Sequence, residues 1–177
     1  NSLTLKEIVG WFDGKFEWGP RALGHRSILA DPRFKDIKDI VNMKIKFREP
    51  YRPFAPSVLE SKATGIFSYH QSIKTDPAKF MILVSPIVKA WQTRIPAVTH
   101  ADGSGRLQTV DKKTNPRYYK LIETFYKKTG IPLILNTSFN LRGEPIVNSP
   151  SDAYNTFMKS NMDVLVLGNF LVKKSSL

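Results

Sequence analysis

The sequence contains no cysteine among its 177 residues. Disulfide bonds, cysteine-bound metals and thiol nucleophiles are therefore excluded, and the absence favours a reducing compartment. Histidine is scarce as well, because only His25, His70 and His100 occur, and no two of them have the spacing of metal ligands. We therefore expect no histidine metal site, and the chemistry of the chain must come from other side chains.

The sequence also lacks long apolar runs and the common nucleotide-binding fingerprints. No stretch reaches the roughly 18 to 20 uncharged apolar residues that cross a bilayer, and no basic-then-apolar signal sequence opens the chain. Neither Gly-x-x-x-x-Gly-Lys-[Ser/Thr] nor Gly-x-Gly-x-x-Gly occurs. We expect a cytoplasmic protein without membrane contact, in which any nucleotide is held by another arrangement. The chain begins at Asn1 without Met, so we also expect it to be part of a longer polypeptide.

Acidic residues are few relative to basic ones, 15 against 27, which gives a net charge of +12. This balance favours anionic partners such as nucleotides, phosphorylated metabolites, nucleic acid or acidic surfaces, without choosing among them. A solvated basic surface explains such an excess equally well. With 41% hydrophobic residues the chain can bury one sizeable core, and we expect a single domain over residues 1–177.

Hydrophobic periodicity predicts an α/β fold. Ile37, Val41 and Ile45 lie on one stripe of a helix over residues 36–47, and Gly130 is placed to end a second helix over 116–129. Short apolar runs bounded by turn residues predict strands. The predicted strands cover 8–12, 57–59, 80–84, 97–99, 107–110, 131–135 and 164–167, and a third helix covers 152–160. Strands and helices in this order favour a mixed sheet flanked by helices.

Basic, hydroxyl and amide side chains cluster where loops are predicted. Arg21 and Arg26 lie in a Gly/Pro-rich turn and are placed for anions. Basic residues recur at Lys46, Arg48, Arg52 and Arg106. The segment Asn136-Thr137-Ser138-Phe139-Asn140 follows a predicted buried strand, where open α/β sheets place ligand crevices. Its small polar side chains and backbone N–H groups suit phosphoryl oxygens.

A purely structural role stays open for each of these features. Asn and Ser side chains in a turn often satisfy only the local backbone, and Arg106 follows a flexible Gly-Ser-Gly turn as surface arginines do. Glu17 and Glu49 could act as a general base or as Mg²⁺ ligands, but ion pairs with neighbouring arginines account for them as simply, and we favour pairing for Glu49.

Four motifs in order resemble one family of enzymes. They are E-W-G-P-R-A-L-G-H-R-S-I-L-A-D at 17–31, K-F-R-E-P-Y-R-P-F-A-P at 46–56, T-H-A-D-G-S-G-R-L-Q-T at 99–109 and N-T-S-F-N at 136–140. Together they closely resemble the C-terminal domain of the carbamoyltransferases that include NodU-type nodulation proteins and antibiotic carbamoyltransferases. The similarity runs over nearly the whole chain, and four motifs with their spacing make a specific match.

The resemblance implies a fold and a reaction. The fold is a YrdC-like twisted mixed β-sheet flanked by helices, which in this family follows an N-terminal actin-like ATPase-fold domain that carries an iron site and binds the acceptor. The YrdC-like domain binds carbamoyl phosphate and ATP, with Mg²⁺ expected beside ATP, and forms carbamoyl adenylate and pyrophosphate. An acceptor hydroxyl in the other domain then takes the carbamoyl group. We therefore expect a partial carbamoyltransferase that performs the adenylate-forming half-reaction.

The resemblance also assigns roles to residues. It makes four residues catalytic: Lys46, Arg52, Arg106 and Ser138. It makes seven more substrate-binding or nucleotide-binding: Arg48, Thr109, Asn136, Thr137, Asn140, Arg21 and Arg26. Of these, Arg21 and Arg26 could instead face the absent domain, and no protein ligand of a metal is assigned.

Two other functions remain as alternatives. YrdC-like folds resemble RNA-binding modules, and aromatic residues alternate with basic ones at 51–54 and 117–120. The first stretch lies inside a motif of the carbamoyltransferase family and the second inside a predicted amphipathic helix. Neither stretch requires RNA, so we do not expect nucleic acid as the partner. The other alternative is an inactive module that docks with the N-terminal domain.

Overall fold

The computed structural model describes residues 1–49, 51–69 and 77–174, so His70 lies outside the described residues. Within these ranges the strands are β1 (Val9–Phe12), β2 (Arg26–Ala30), β3 (Ala55–Leu59), β4 (Leu83–Pro86), β5 (Ser104–Val110), β6 (Leu133–Ser138), β7 (Val164–Leu167) and β8 (Phe170–Lys173). They form one open sheet in the order β4-β5-β3-β6-β2-β1-β7-β8. The pairs β1–β7 and β3–β5 are parallel and the other pairs are antiparallel. The predicted single-domain mixed α/β fold is confirmed.

Helices flank the sheet. They are α1 (Ile37–Val41), which continues as a π-helical turn (Asn42–Lys46), α2 (Glu60–Ala63), α3 (Lys89–Gln92), α4 (Pro116–Thr129) and α5 (Pro150–Lys159). The two longest have clear end signals. Asn115 accepts a hydrogen bond from the N–H of Tyr118 at the start of α4, and Gly130 ends that helix at φ 71°. Ser149 and Asp152 form a capping box at the start of α5, an arrangement that satisfies two otherwise free N–H groups.

The core lies against the central strands. Every residue of β2 and β3 is buried, and so are the first four of β6. Helix α4 buries Tyr118, Ile122 and Phe125, and α5 buries Ala153 and Phe157. Burial of each large apolar side chain is worth about 1.5 to 3 kcal/mol. The central strands therefore form a fixed platform for the polar side chains at their ends.

Several boundaries differ from the prediction. The strand predicted at 97–99 is wrong, because Pro96–Val98 is a 3₁₀ turn in which the N–H of Val98 bonds the carbonyl of Ile95. The strand predicted at 80–84 begins only at Leu83, since Pro77–Phe80 is also a 3₁₀ turn. Strands β2 and β8 were not predicted.

One boundary matters for function. The strand predicted at 131–135 starts two residues later and continues to Ser138. Asn136, Thr137 and Ser138 therefore lie within β6, not in a turn beyond it. Because strand side chains alternate between the two faces of a sheet, Asn136 and Ser138 share one face.

Candidate anion-binding site

Residues 17–26, called here the 17–26 loop, lie in the connection from β1 to β2, end at the first residue of β2 and are organised by Glu17. Its Oε1 accepts hydrogen bonds from the backbone N–H groups of Leu23 at 2.6 Å and His25 at 3.1 Å. Its Oε2 accepts one from the N–H of Arg26 at 3.1 Å. Glu17 therefore binds the loop backbone, and its charge also acts on the Arg26 side chain, whose pKa is lowered by burial and raised to a smaller extent by Glu17.

The carbonyl groups of the same loop are held by the rest of the fold. Asn136 Nδ2 donates to the carbonyl of Ala22 at 3.0 Å, and Gln108 Nε2 donates to the carbonyl of Leu23 at 2.8 Å. Trp11 Nε1 donates to the carbonyl of Gly24 at 2.9 Å. The loop is thus fixed from both sides, and it holds Arg21 at the sheet face that carries Asn136 and Gln108.

The π-helical turn and the residues after it bring a second arginine to this face. Phe47 has φ 46° and ψ 49°, a left-handed conformation that costs a non-glycine residue roughly 1 to 3 kcal/mol and often marks functional sites. The turn places Arg48 so that its Nε donates to Asn42 Oδ1 at 2.7 Å. The Arg48 guanidinium also lies 4.6 Å from the ring centre of Phe54.

These segments and β5 line a pocket of about 90 Å³. Strand β3 lies between β5 and β6, with Ser57 opposite Gln108 and Ala55 opposite Asn136. Ala55 and Arg106 each lie two residues before Ser57 and Gln108 on their strands, so Ala55 is next to Arg106 on one side and opposite Asn136 on the other. The small Ala55 side chain leaves space between Arg106 and Asn136. The lining residues are Pro20, Arg21, Ala22, Arg48, Pro53, Phe54, Ala55, Met81, Arg106, Asn136, Thr137 and Ser138.

The pocket concentrates positive charge without an acidic counterpart. Burial, together with the nearby charge of Arg21, lowers the pKa of Arg106. Burial also lowers the pKa of Arg48, and the charges of Arg52 and Arg106 act in the same direction. None of the described residues lining the pocket is a carboxylate. The arrangement suits an anion, because a bound negative charge relieves this mutual repulsion.

Several polar atoms of the pocket residues have no partner within the described part of the chain. These buried atoms include Arg21 Nε, Arg106 Nε and Asn136 Oδ1. Buried polar groups are normally hydrogen-bonded, so atoms of this kind often mark the place of a ligand or water.

Lys46 lies behind Ser138 and is almost fully buried. Its Nζ donates to Ser138 Oγ at 3.3 Å, to Asn140 Oδ1 at 2.8 Å and to the carbonyls of both residues. Burial, with a smaller contribution from Arg48, lowers the pKa of Lys46 to about 7. Lys46 and Asn140 therefore contact the pocket through Ser138, although neither lines it.

Three other predicted site residues have different positions. Arg26 is buried in β2, where its guanidinium bonds the carbonyls of Asp13, Gly14 and His25 and lies 3.6 Å from the ring centre of Phe12. The structure does not bring Arg26 to the pocket. The carbonyls bind its Nη1 and Nη2 groups, while its Nε is buried without a partner in the described part of the chain.

Thr109 and Arg52 also lie away from the lining. Thr109 is one residue beyond Gln108 on β5, so its side chain lies on the opposite face of the sheet from Arg106. Arg52 is half exposed and pairs with Glu49 at 3.0 Å, which confirms the pairing expected for Glu49. Arg52 still contributes to the positive charge around Arg48.

Sequence reasoning missed the residues that support the site. Gln108 accepts from Ser57 Oγ at 2.5 Å and from Asn136 Nδ2 at 3.0 Å, and Asn42 holds Arg48. A polar Gln in the alternating strand 107–110 was the available signal, since buried polar residues in strands need partners.

A larger pocket lies elsewhere and has a different character. It has a volume of about 180 Å³ and lies beside the first residues of the chain and α4, and most of its surface is apolar, from side chains such as Trp11, Phe125 and Leu171. Lys128 is the single charged side chain among its described lining residues. This pocket does not suit a phosphorylated ligand.

Comparison with known proteins relates this geometry to a family. The model of the family described as "Carbamoyltransferase C-terminus" matches residues 1–174. The chain is 50% identical over 167 residues to nodulation protein NolO of Bradyrhizobium diazoefficiens, covering 94% of this chain and 30% of that protein. It is also 50% identical over 167 residues to nodulation protein NolNO of Sinorhizobium fredii, covering 94% of this chain and 24% of that protein.

A third relative is nodulation protein U of Sinorhizobium fredii, 41% identical over 151 residues, covering 85% of this chain and 25% of that protein. The chain thus spans 24% to 30% of the length of these three relatives. Within the described ranges, every helix is too short or too polar to cross a membrane.

Proposed function

The chain belongs to the family of carbamoyltransferase C-terminal domains, and on that premise we propose that its arginine pocket binds carbamoyl phosphate and ATP. The product of this site is carbamoyl adenylate, which serves transfer of the carbamoyl group to an acceptor hydroxyl. The observation that carries the proposal is the pocket itself, where Arg21, Arg48 and Arg106 meet without a carboxylate among the described lining residues.

The proposed reaction needs the charge that the pocket supplies. Water first converts carbamoyl phosphate to carbamate and phosphate. A carbamate oxygen then attacks the α-phosphorus of ATP, and the bond from that phosphorus to the bridging oxygen of pyrophosphate breaks. Both reactants are anions, so fixed cations are needed to offset their repulsion and the charge of the transition state.

The chain's own residues have distinct parts in this proposal. Arg21, Arg48 and Arg106 bind phosphoryl oxygens, and the Ser138 hydroxyl, which donates to Asn140 Oδ1 at 2.8 Å when no ligand is bound, turns to them on binding. Lys46 holds Ser138 and Asn140 in place through its ammonium group, and it adds positive charge behind them when protonated. The charge of Arg52 adds to the positive potential around Arg48 from a half-exposed position.

The phosphates of the substrate are better ligands for magnesium than the residues that line the pocket. Mg²⁺ is usually held by carboxylates, waters and substrate phosphates, and the described lining residues include no carboxylate. We propose that Mg²⁺ arrives with the phosphates of ATP, and no step is assigned to protein ligands. Iron is expected only in an N-terminal domain of the longer polypeptide. That N-terminal domain would also bind the acceptor.

The experiment is release of pyrophosphate from ATP by the full-length polypeptide, with and without carbamoyl phosphate. The proposal predicts release that depends on carbamoyl phosphate and falls about a hundredfold in Arg106→Ala, by analogy with the loss of one transition-state donor. The matched control is Arg94→Ala, because Arg94 stacks on Trp91 at the surface. Pyrophosphate release that does not depend on carbamoyl phosphate, or equal release rates in Arg106→Ala and Arg94→Ala, would contradict the proposal.

A further inference from the structure

We propose that Glu17 is a positioning residue that sets the anion contact of Arg21, an inference that rests on the proposed function. Glu17 does not line the pocket. It acts through the backbone of the 17–26 loop, in which Arg21 lies between Glu17 and the three N–H groups that its carboxylate binds.

The Glu17 carboxylate closes the loop by accepting hydrogen bonds from backbone N–H groups that lie several residues farther along the chain. Both of its oxygens are used, and the bonded N–H groups of Leu23, His25 and Arg26 lie 6, 8 and 9 residues farther along the chain. Within the closed segment, Gly19 has φ 109° and Gly24 has φ 110°, conformations that ordinary residues avoid. The bend that they make is stable only while its converging N–H groups have an acceptor.

Arg21 depends on this closure because no described residue is seen to fix its side chain. Its Nε is buried without a partner, and no ion pair to a described carboxylate holds it. Its neighbour Ala22 is anchored through its carbonyl to Asn136. The position of the guanidinium is therefore set by the backbone on both sides, with Glu17 on one side and Asn136 on the other.

Only an ionised glutamate fits this role. In Glu17→Gln one oxygen becomes an NH₂ group, which faces an N–H donor and cannot accept from it. The variant keeps shape and volume, so it tests the acceptor and not the packing. Glu17→Asp keeps the charge but shortens the side chain by one methylene, so we expect it to fail as well.

The test is a double-mutant cycle in the full chain, with inorganic phosphate as the probe and affinity measured by NMR titration. We expect Glu17→Gln to weaken phosphate binding about tenfold when Arg21 is present, and by less than about twofold in an Arg21→Ala background. The control is Asp152→Asn, because Asp152 also accepts two backbone N–H groups but does so at the start of α5. This control should lose stability and keep its phosphate affinity.

A second readout does not depend on any ligand. Amide hydrogen exchange of Leu23, His25 and Arg26 should accelerate in Glu17→Gln, while the amides of the central strand β6 keep their protection. Unchanged exchange at these three amides would overturn the inference, and so would a Glu17→Gln effect of equal size with and without Arg21. A wild-type chain that binds no phosphate overturns the proposed function together with this inference. Binding with no role for Glu17 overturns the inference alone.

Discussion

Lys46 shows how a single residue can serve structure and charge together. Its ammonium group is surrounded by oxygens of Ser138 and Asn140, which favour the protonated form. Burial and the charge of Arg48 oppose protonation and lower its pKa to about 7. A bound anion beside Ser138 would favour the protonated form again, so ligand binding and the protonation of Lys46 should be linked.

The first prediction concerns this pKa. Between about pH 7 and pH 10.5 the unfolded chain keeps the Lys46 proton while the fold releases it, so the contribution of Lys46 to stability rises with pH across that window. At about 1.4 kcal/mol for each pH unit, the whole effect is on the order of 5 kcal/mol. Urea unfolding of wild type and Lys46→Met at several pH values measures it. A difference between the two that does not change with pH would refute the assigned pKa.

The residue scale is also where the sequence was least informative. Arg21 and Arg26 are the same residue type but have different roles. Arg21 lines the pocket, while Arg26 lies in β2 and binds three carbonyls. Their spacing in the sequence could not separate them, since the missed strand β2 decides which one is buried. Thr109 lies on the opposite face from Arg106 for a similar reason, because a shift of one residue along a strand changes the face that a side chain occupies.

At the scale of elements, local signals decided which predictions held. Helix α4 was predicted with its observed ends because Pro116 and Gly130 mark them. Strand β6 was predicted too short because polar residues 136–138 are atypical of a buried strand. Asn136 is nevertheless buried, since Ala22, Ser57 and Gln108 accept hydrogen bonds from the NH₂ of its amide group. Those partners come from distant parts of the chain and leave no local signal.

The second prediction concerns the packing of the 17–26 loop on α4. A Cβ atom added to Gly24 would lie 2.3 Å from Tyr118 Cδ1, at φ 110°. Gly143→Ala is the matched control, because Gly143 has φ 78° and no atom within 4 Å of the added Cβ. We expect the control to cost about 1 to 2 kcal/mol and Gly24→Ala about 2 to 3 kcal/mol more. Equal unfolding free energies for the two variants would show that the loop does not pack as described.

At the scale of the whole molecule, the sheet order explains why distant motifs meet. Strand β3 lies between β5 and β6, so Arg106 and Asn136 stand on either side of Ala55, and the 17–26 loop lies across them. The family resemblance identified Arg106 and Ser138 as site residues, and both line the pocket. It could not identify Glu17, Asn42 or Gln108 as supports, because their contacts exist only in the folded chain.

The molecule also spans only part of its relatives' length, 24% to 30% of NolO, NolNO and nodulation protein U. Exposed aromatic residues lie near the pocket in sequence, with Trp18 fully exposed two residues before Pro20 and Tyr51 75% exposed two residues before Pro53. Transfer to an acceptor is therefore proposed for the full-length polypeptide, and anion binding for the chain described here.

Calorimetric titration with carbamoyl phosphate tests the central claim most directly, namely that Arg21, Arg48 and Arg106 bind one phosphoryl group together. The account predicts binding by the wild type and by Arg94→Ala, and an affinity at least about tenfold weaker in Arg106→Ala, because a charge-assisted hydrogen bond is lost. Equal affinity in Arg106→Ala and the wild type would contradict it.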